Sequence, residues 1–138
     1  EYRKIQEYIN LDKPCNVKLM KRIPKEDYDI MVAACDVGMI FLDHRFTIPN
    51  FPSRLLSYMQ AKIPVFACTD SNTDVGKTIM DGEFGWWCES NDVRTVEKFF
   101  NCDFKTINKK DKEFEYLSNY YSVEKSYYII MNSIKDAG

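Results

Sequence analysis

The sequence predicts an α/β fold with a Rossmann-like, three-layer parallel sheet and helices on both of its faces. Short apolar runs alternate along the chain with segments of helical periodicity, which is typical of a parallel sheet. The runs at 37–42 and 65–68 are apolar throughout, as in strands that are covered on both faces. A length of 138 residues, 45% of them hydrophobic, is enough for one core. We therefore expect one domain over residues 1–138.

The first third of the chain is predicted to form a helix, a strand, a helix and a strand. The opening helix ends at the sequence Asp-Lys-Pro at 12–14. Because its pattern is already helical at residue 1, we expect the chain to be a piece of a longer protein. Residues 17–20 are expected to form a strand, and the most apolar run, 37–42, the central strand. Between them Pro24 opens a second helix, whose buried face is expected to hold Tyr28, Met31, Val32 and Cys35.

Residues 50–65 are predicted to form a loop, a helix, a tight turn and a buried strand. Asn50, Pro52 and Ser53 suit a helix start, since a side-chain oxygen can accept from a free backbone N–H and proline gives up no needed donor. An apolar stripe follows at helical spacing, and Pro64 precedes the strand. A helix start that faces out of a sheet carries a partial positive charge and suits an anion.

The second half continues the alternation and then becomes helical. We expect a helix at 74–80, a strand at 86–88, a helix at 92–100 capped by Ser90 and Asn91, and helices at 108–121 and 122–136. One face of the last helix is apolar and consists of Val123, Tyr127, Ile130, Met131 and Ile134.

Composition excludes several classes of partner. With 19 basic and 21 acidic residues the net charge is −2, which gives no reason to expect a nucleic acid or an anionic membrane surface. No apolar run approaches the length of a membrane span. The cysteines are odd in number and form no C-x-x-C pair, so we expect reduced thiols in or near the core of a cytosolic protein: Cys15, Cys35, Cys68, Cys88 and Cys102.

Ligands of parallel sheets bind outside the carboxyl ends of the strands. The predicted strands place the loops 21–23, 43–53 and 69–74 along that edge. The pattern Pro52-Ser53-Arg54-Leu55, followed by Tyr58-Met59 and Pro64-Val65, resembles the "P-S-K-L-x-E-Y-M-A-x-G-K-P-V" segment of family 4 retaining glycosyltransferases. Two further segments agree in order and spacing with that family, with matches at Ile23-Pro24, Ala33-Ala34, Asp36, Thr69-Asp70, Ile79, Asp81-Gly82-Glu83, Gly85 and Asp92.

The resemblance implies the C-terminal, donor-binding domain of a GT-B glycosyltransferase. It implies a nucleotide-sugar donor, expected to be a UDP-sugar, and retaining transfer to a glycan, polysaccharide or lipid-linked acceptor without a metal. The family's first β-α-β unit and its N-terminal acceptor domain have no counterpart in this sequence. We therefore expect a fragment that is inactive alone, from a cytoplasmic protein that can be peripheral at the inner membrane face.

Residue roles follow from the resemblance position by position. The diphosphate is expected at Ser53, Arg54 and Leu55, the sugar at Asn50 and Phe51, and the base at Arg22 and Ile23. Two positions depart from the family. Ser57 stands where a glutamate usually accepts from both ribose hydroxyls, and Pro49 stands where the family has an acidic sugar contact. Loss of a charged acceptor costs about 1.5–3 kcal/mol.

Other interpretations stay open at this stage. Ser53 can be an ordinary cap and Arg54 a solvated arginine, and the whole chain can be a non-catalytic α/β binding module with a decayed donor site. His44, the single histidine, suits proton transfer or has no role. Trp86 and Trp87 are expected to pack in the core. The sequence Gly76-Lys77-Thr78 resembles the end of a P-loop, but Ser71 stands at its first glycine.

Overall fold

The computed structural model describes residues 2–48, 50–101 and 111–136. Strands and helices alternate through the middle of the chain, and helices occupy both ends. The elements are α1 (Tyr2–Asp12), α2 (Lys25–Ala33), β1 (Gly38–Phe41), α3 (Arg54–Gln60), β2 (Val65–Thr69), α4 (Val75–Asp81), β3 (Gly85–Glu89), α5 (Val93–Phe100), α6 (Lys112–Tyr120) and α7 (Val123–Asp136).

The sheet is parallel throughout, in the order β1-β2-β3. Gly38 pairs with Val65, and Val65 pairs with Gly85, so the three strands begin level with one another. Every residue of β2 is buried, which makes β2 the central strand. The prediction that 37–42 is central is wrong for the described sheet, because β1 pairs with β2 alone. The predicted strand at 17–20 is also wrong, since these residues adopt no regular structure and leave that edge of β1 open.

Helices cover both faces of the sheet, as predicted. On one face, α3 and α4 bury their apolar side chains against Ile40, Val65 and Ala67. On the other face, α5 packs Phe99 flat on Phe66, with their ring centroids 3.8 Å apart. Alternate residues of β2 therefore point to opposite cores, as the two-residue period of a strand requires. The structure confirms a Rossmann-like α/β fold.

The helix starts differ from the predicted caps. Ser53 occupies the residue before α3 in a helical conformation, and its side chain makes no capping hydrogen bond. For α5 the cap is Asp92, whose carboxylate accepts the Thr95 N–H at 3.1 Å, rather than Ser90 or Asn91. These hydrogen bonds hold the pKa of Asp92 below its usual range. The choice among three neighbouring polar residues depends on the exact end of the preceding strand, which sequence patterns fix poorly.

The P-loop-like sequence lies at the start of α4. Gly76, Lys77 and Thr78 are the second to fourth residues of this helix, and the Thr78 N–H donates to the Asp74 carbonyl at 2.8 Å. Gly76 is buried against the indole of Trp87. That indole donates from Nε1 to Thr69 Oγ1 at 2.9 Å. The glycine is therefore explained by close packing of α4 on β3. Trp86 points to the opposite face, half-exposed, and meets Phe99 edge-on at 5.3 Å.

The outermost helices are formed as predicted but bury little. Neither α1 nor α7 contains a buried residue, and on the predicted apolar face of α7 only Met131 is as much as half-buried. On α2 only Val32 is buried, while Tyr28 and Met31 are half-buried and Cys35 is exposed. The predicted buried face of α2 is therefore correct only in part. Among the described helices, none is long and apolar enough to cross a membrane.

The cysteines divide into two groups. Cys68 and Cys88 are buried, face each other across β2 and β3, and are free thiols. Burial, with the neighbouring Cys68 sulfur, raises the pKa of Cys88 to about 12. Cys15 and Cys35 are exposed, so the prediction of core or near-core thiols is wrong for these two. Cys102 lies outside the described residues.

We predict that Gly76→Ala destabilises the fold by about 1–3 kcal/mol. An added Cβ would lie 2.6 Å from the Trp87 ring, which its hydrogen bond to Thr69 holds in place. An exposed helix position would instead gain stability from alanine. Urea unfolding measures the difference, with Lys77→Ala in the same helix as the control, expected within about 0.5 kcal/mol of the parent. A Gly76→Ala protein as stable as the parent would contradict this packing.

We also predict a loss of stability at alkaline pH that depends on Cys88. Its pKa rises from 9.0 to about 12 on folding. The folded state therefore holds this proton more tightly, so the contribution is complete below pH 9 and is lost as the pH rises towards 12. Urea unfolding across this range should show a smaller decline for Cys88→Ala than for the parent. Cys35→Ala is the matched control and should keep the parent's slope; equal slopes for all three proteins would refute the assignment.

Candidate functional site

A cavity, here called the α3 cavity, lies at the carboxyl edge of the sheet, between the end of β1 and the start of α3. Its volume is about 400 Å³, and its walls are residues 40–42 and 50–54. The parallel strands bring these two segments together, because β1 ends at Phe41 and the chain returns along the same edge into α3. The site predicted from the sequence is therefore concave.

Four of the predicted site residues line this cavity. Asn50 and Phe51 come from the loop, and Ser53 and Arg54 from the start of α3. All four side chains are exposed to solvent. The residues bring an amide, an aromatic ring, a hydroxyl and a guanidinium to one wall, a set that offers donors to an anion and an apolar surface to a sugar ring.

Three contacts fix the start of α3 over the sheet. The Tyr58 hydroxyl donates to the carbonyl of Met39 on β1 at 3.1 Å. The ring of Tyr58 occupies the space that a side chain at Gly38 would need. Burial raises the pKa of Tyr58, which keeps the hydroxyl protonated as a donor. Phe51 packs against Tyr121 with ring centroids 5.4 Å apart, so the loop before α3 is held from the other side.

Leu55 serves the core rather than the cavity. Its side chain is fully buried in the cluster under α3. Its backbone N–H donates to the Pro52 carbonyl at 2.9 Å, so this amide already has an acceptor. Contact of Leu55 with a ligand stays a prediction, and the cavity itself is lined by its neighbours Ser53 and Arg54.

Arg22 and Ile23 do not line the cavity. They lie in an irregular segment before α2, with Arg22 exposed and Ile23 half-buried. Their predicted position depended on a strand at 17–20, which the structure lacks. Without that strand no sheet register places them at the carboxyl edge. Their contact with a base stays a prediction.

Ser57 lies on a separate groove. This groove of about 250 Å³ runs between α2 and α3 and is distinct from the α3 cavity. Ser57 is half-buried in it, four residues beyond Ser53 on α3. The structure therefore separates the predicted ribose position from the predicted phosphate position by one helical turn. The other departure from the family pattern, Pro49, lies outside the described residues.

The loops that follow β1 and β2 are joined beside the cavity. Asn72 Nδ2 donates to the Phe46 carbonyl at 3.2 Å. Asn72 is itself placed by Asp70, whose Oδ1 accepts the N–H groups of Asn72 and Thr73 at 2.9 Å each. Asp70 is 1% exposed, and its Oδ2 makes no hydrogen bond. From the sequence, Asp70 was expected only as a match to the family pattern. Its position directly after the buried strand β2 indicates that it stabilises the following turn by hydrogen bonds.

The turn after β1 is stabilised by a surface ion pair. Arg45 donates from its side chain and its backbone N–H to Asp43, and these hydrogen bonds hold the pKa of Asp43 well below its usual range. His44 Nδ1 lies 3.6 Å from the same carboxylate. None of the three residues lines the cavity. The geometry therefore gives His44 no proton-transfer partner in the site.

The fold and the cavity define a Rossmann-like α/β protein with a cationic, ligand-sized site at the carboxyl edge of its sheet. Arg54 supplies the charge. The described residues contain no group of three or more side chains that could hold a metal ion.

Comparison with known proteins finds a distant relative. The chain is 23% identical over 120 residues to a probable glycosyltransferase, WbjE, from Pseudomonas aeruginosa. The match covers 83% of this chain and 30% of that protein, so the chain spans less than a third of its relative's length. No family model matches the chain. No solved structure matches it either. The similarity supports a relationship to glycosyltransferases.

Proposed function

We propose that this chain is the donor-binding part of a GT-B glycosyltransferase of the family 4 type. In this proposal the α3 cavity holds a nucleotide-sugar, expected to be a UDP-sugar. The observation that carries it is the convergence of Asn50, Phe51, Ser53 and Arg54 on one cavity at the carboxyl edge of a parallel sheet. The relationship to a probable glycosyltransferase supports the same reaction class.

The size and charge of the cavity suit a diphosphate and part of a sugar. A volume of about 400 Å³ lies within the range of small-molecule sites. Arg54 offers a planar fork of donors that matches phosphate oxygens, and such charge-assisted pairs are the strong ones. Ser53, beside it, offers a hydroxyl to the same anion. In this arrangement Arg54 supplies positive charge that a bound metal would otherwise supply.

The opposite side of the cavity suits the transferred sugar. Asn50 offers both donor and acceptor atoms to sugar hydroxyls. Phe51 offers apolar surface, and its packing on Tyr121 restricts its rotation before a ligand arrives. A site that is already ordered loses less entropy on binding. In this proposal the sugar lies on the Asn50 and Phe51 side and the diphosphate on the α3 side.

The complete reaction needs groups beyond this cavity. None of the described lining residues is a carboxylate, so the cavity offers the donor binding and charge but no general base. We propose retaining transfer of the sugar to a glycan, polysaccharide or lipid-linked acceptor held by a separate acceptor domain. The proposed location of such a protein is the cytoplasm, at the inner membrane face where lipid-linked acceptors lie.

A second candidate is a non-catalytic α/β binding module, and the composition of the cavity walls favours it. The cavity lacks a carboxylate among its described walls, and Ser57 offers a hydroxyl where the family has a glutamate. Such a module could keep the fold and lose affinity for the donor. Nucleotide binding distinguishes the two candidates, because only the donor site should prefer a nucleoside diphosphate.

We predict that UDP binds this chain without magnesium and that Arg54→Ala weakens binding about 10- to 150-fold. This range corresponds to the loss of about 1.5–3 kcal/mol from a hydrogen-bonded charged pair. Calorimetric titration with UDP, GDP and ATP gives the affinity and the preferred base.

Arg94→Ala is the matched control for this titration. Arg94 is an exposed arginine on α5, which covers the other face of the sheet. Its removal changes the net charge by the same amount and should leave UDP affinity unchanged within about twofold, apart from weak long-range charge effects. If no nucleotide binds the folded parent, or if both variants weaken binding equally, the donor-site proposal fails and the binding module becomes the better account.

A further inference from the structure

The groove between α2 and α3 has the polar groups of a ligand site. Its lining consists of Asp29, Val32, Ala33, Ser57, Gln60 and Ala61, around about 250 Å³. A carboxylate, a hydroxyl and an amide thus surround a small apolar floor. Polar groups around an apolar floor suit a ligand with a small ring that carries several hydroxyl groups.

The groove and the α3 cavity both lie along α3. Ser53 lines the cavity and Ser57 lines the groove. Residues four apart lie on the same face of a helix, and the rise between them is about 6 Å. Ser53 and Ser57 therefore place the cavity and the groove along the same face of α3, about one helical turn apart.

A nucleoside diphosphate has the right order of groups for these two sites. Its ribose is bonded directly to its diphosphate, so a diphosphate at Arg54 places the ribose about one helical turn along α3. The vicinal hydroxyls of ribose are hydrogen-bond donors, and a carboxylate accepts two such bonds at once. Of the groove's lining residues, Asp29 is the one that carries a carboxylate.

Neighbouring residues of α2 position the Asp29 carboxylate. Lys25, one turn earlier on α2, forms an ion pair with Asp29 Oδ2. Val32, three residues later, is buried and anchors the helix beside α3. A carboxylate has about four acceptor positions, so one bond from Lys25 leaves room for ribose hydroxyls. The Asp29 side chain is 48% exposed, which leaves it open to a ligand in the groove.

We propose that Asp29 binds the ribose hydroxyls of the donor nucleotide. This assignment rests on the proposed function, because it takes the diphosphate to lie at Arg54. It identifies α2 as the source of the charged acceptor that Ser57, on the facing helix, does not supply. It also makes the site selective for ribonucleotides over deoxyribonucleotides.

The test compares UDP with its 2′-deoxy and 3′-deoxy analogues on the parent and on Asp29→Asn. We expect the parent to prefer UDP over at least one analogue by about tenfold or more, as for a hydrogen bond to a charged group. In Asp29→Asn, UDP affinity should fall by a similar factor and the preference should shrink towards one. Asp29→Glu keeps the carboxylate and should recover part of the preference, which a purely structural role of Asp29 would not predict.

Asp27→Asn is the matched control, since Asp27 is an exposed acid on the same helix that does not line the groove. It should keep the parent's preference for UDP. If UDP binds through Arg54 but Asp29→Asn keeps the full preference, the ribose assignment is overturned and the donor site stands. If the parent binds no UDP, both are overturned together.

Discussion

The packing of α3 on the first two strands is the constraint on which the site depends. On the outer side of α3, the Tyr58 hydroxyl donates to the β1 backbone and the Tyr58 ring fills the space next to Gly38. On the inner side, Leu55 and Met59 are fully buried. With these contacts formed, the start of α3 lies over the carboxyl edge of the sheet. The cavity follows from that position, because it is the gap between the end of β1 and the loop that enters α3.

The order of elements could be predicted because it depends on local patterns. Apolar runs and helical stripes fixed all three described strands and the seven helices to within a few residues. The predictions of a strand at 17–20 and of a central position for 37–42 were wrong, because pairing depends on which strands meet in space. Cys35 shows the same limit. It lies beyond Ala33, the last residue of α2, and is exposed.

Residues that adjoin in sequence could be predicted to share a cavity, whereas residues that meet only in space could not. Asn50, Phe51, Ser53 and Arg54 are close in the chain and line one cavity. Arg22 was placed through a strand that does not form. In the sequence Asp29 is an ordinary surface acid of α2, because it comes to lie beside Ser57 only when the two helices pack.

A hydrogen-exchange footprint of UDP on this chain tests the central claim most directly. Ligand contact slows exchange of the amides it covers and orders. The account predicts slower exchange at 40–42 and 50–57 that extends to α2. It predicts no protection in the separate cleft between residues 81–83 and α6, a concavity of about 250 Å³. Protection at that cleft instead, or no protection anywhere at saturating UDP, would contradict the assignment of a donor site to the start of α3.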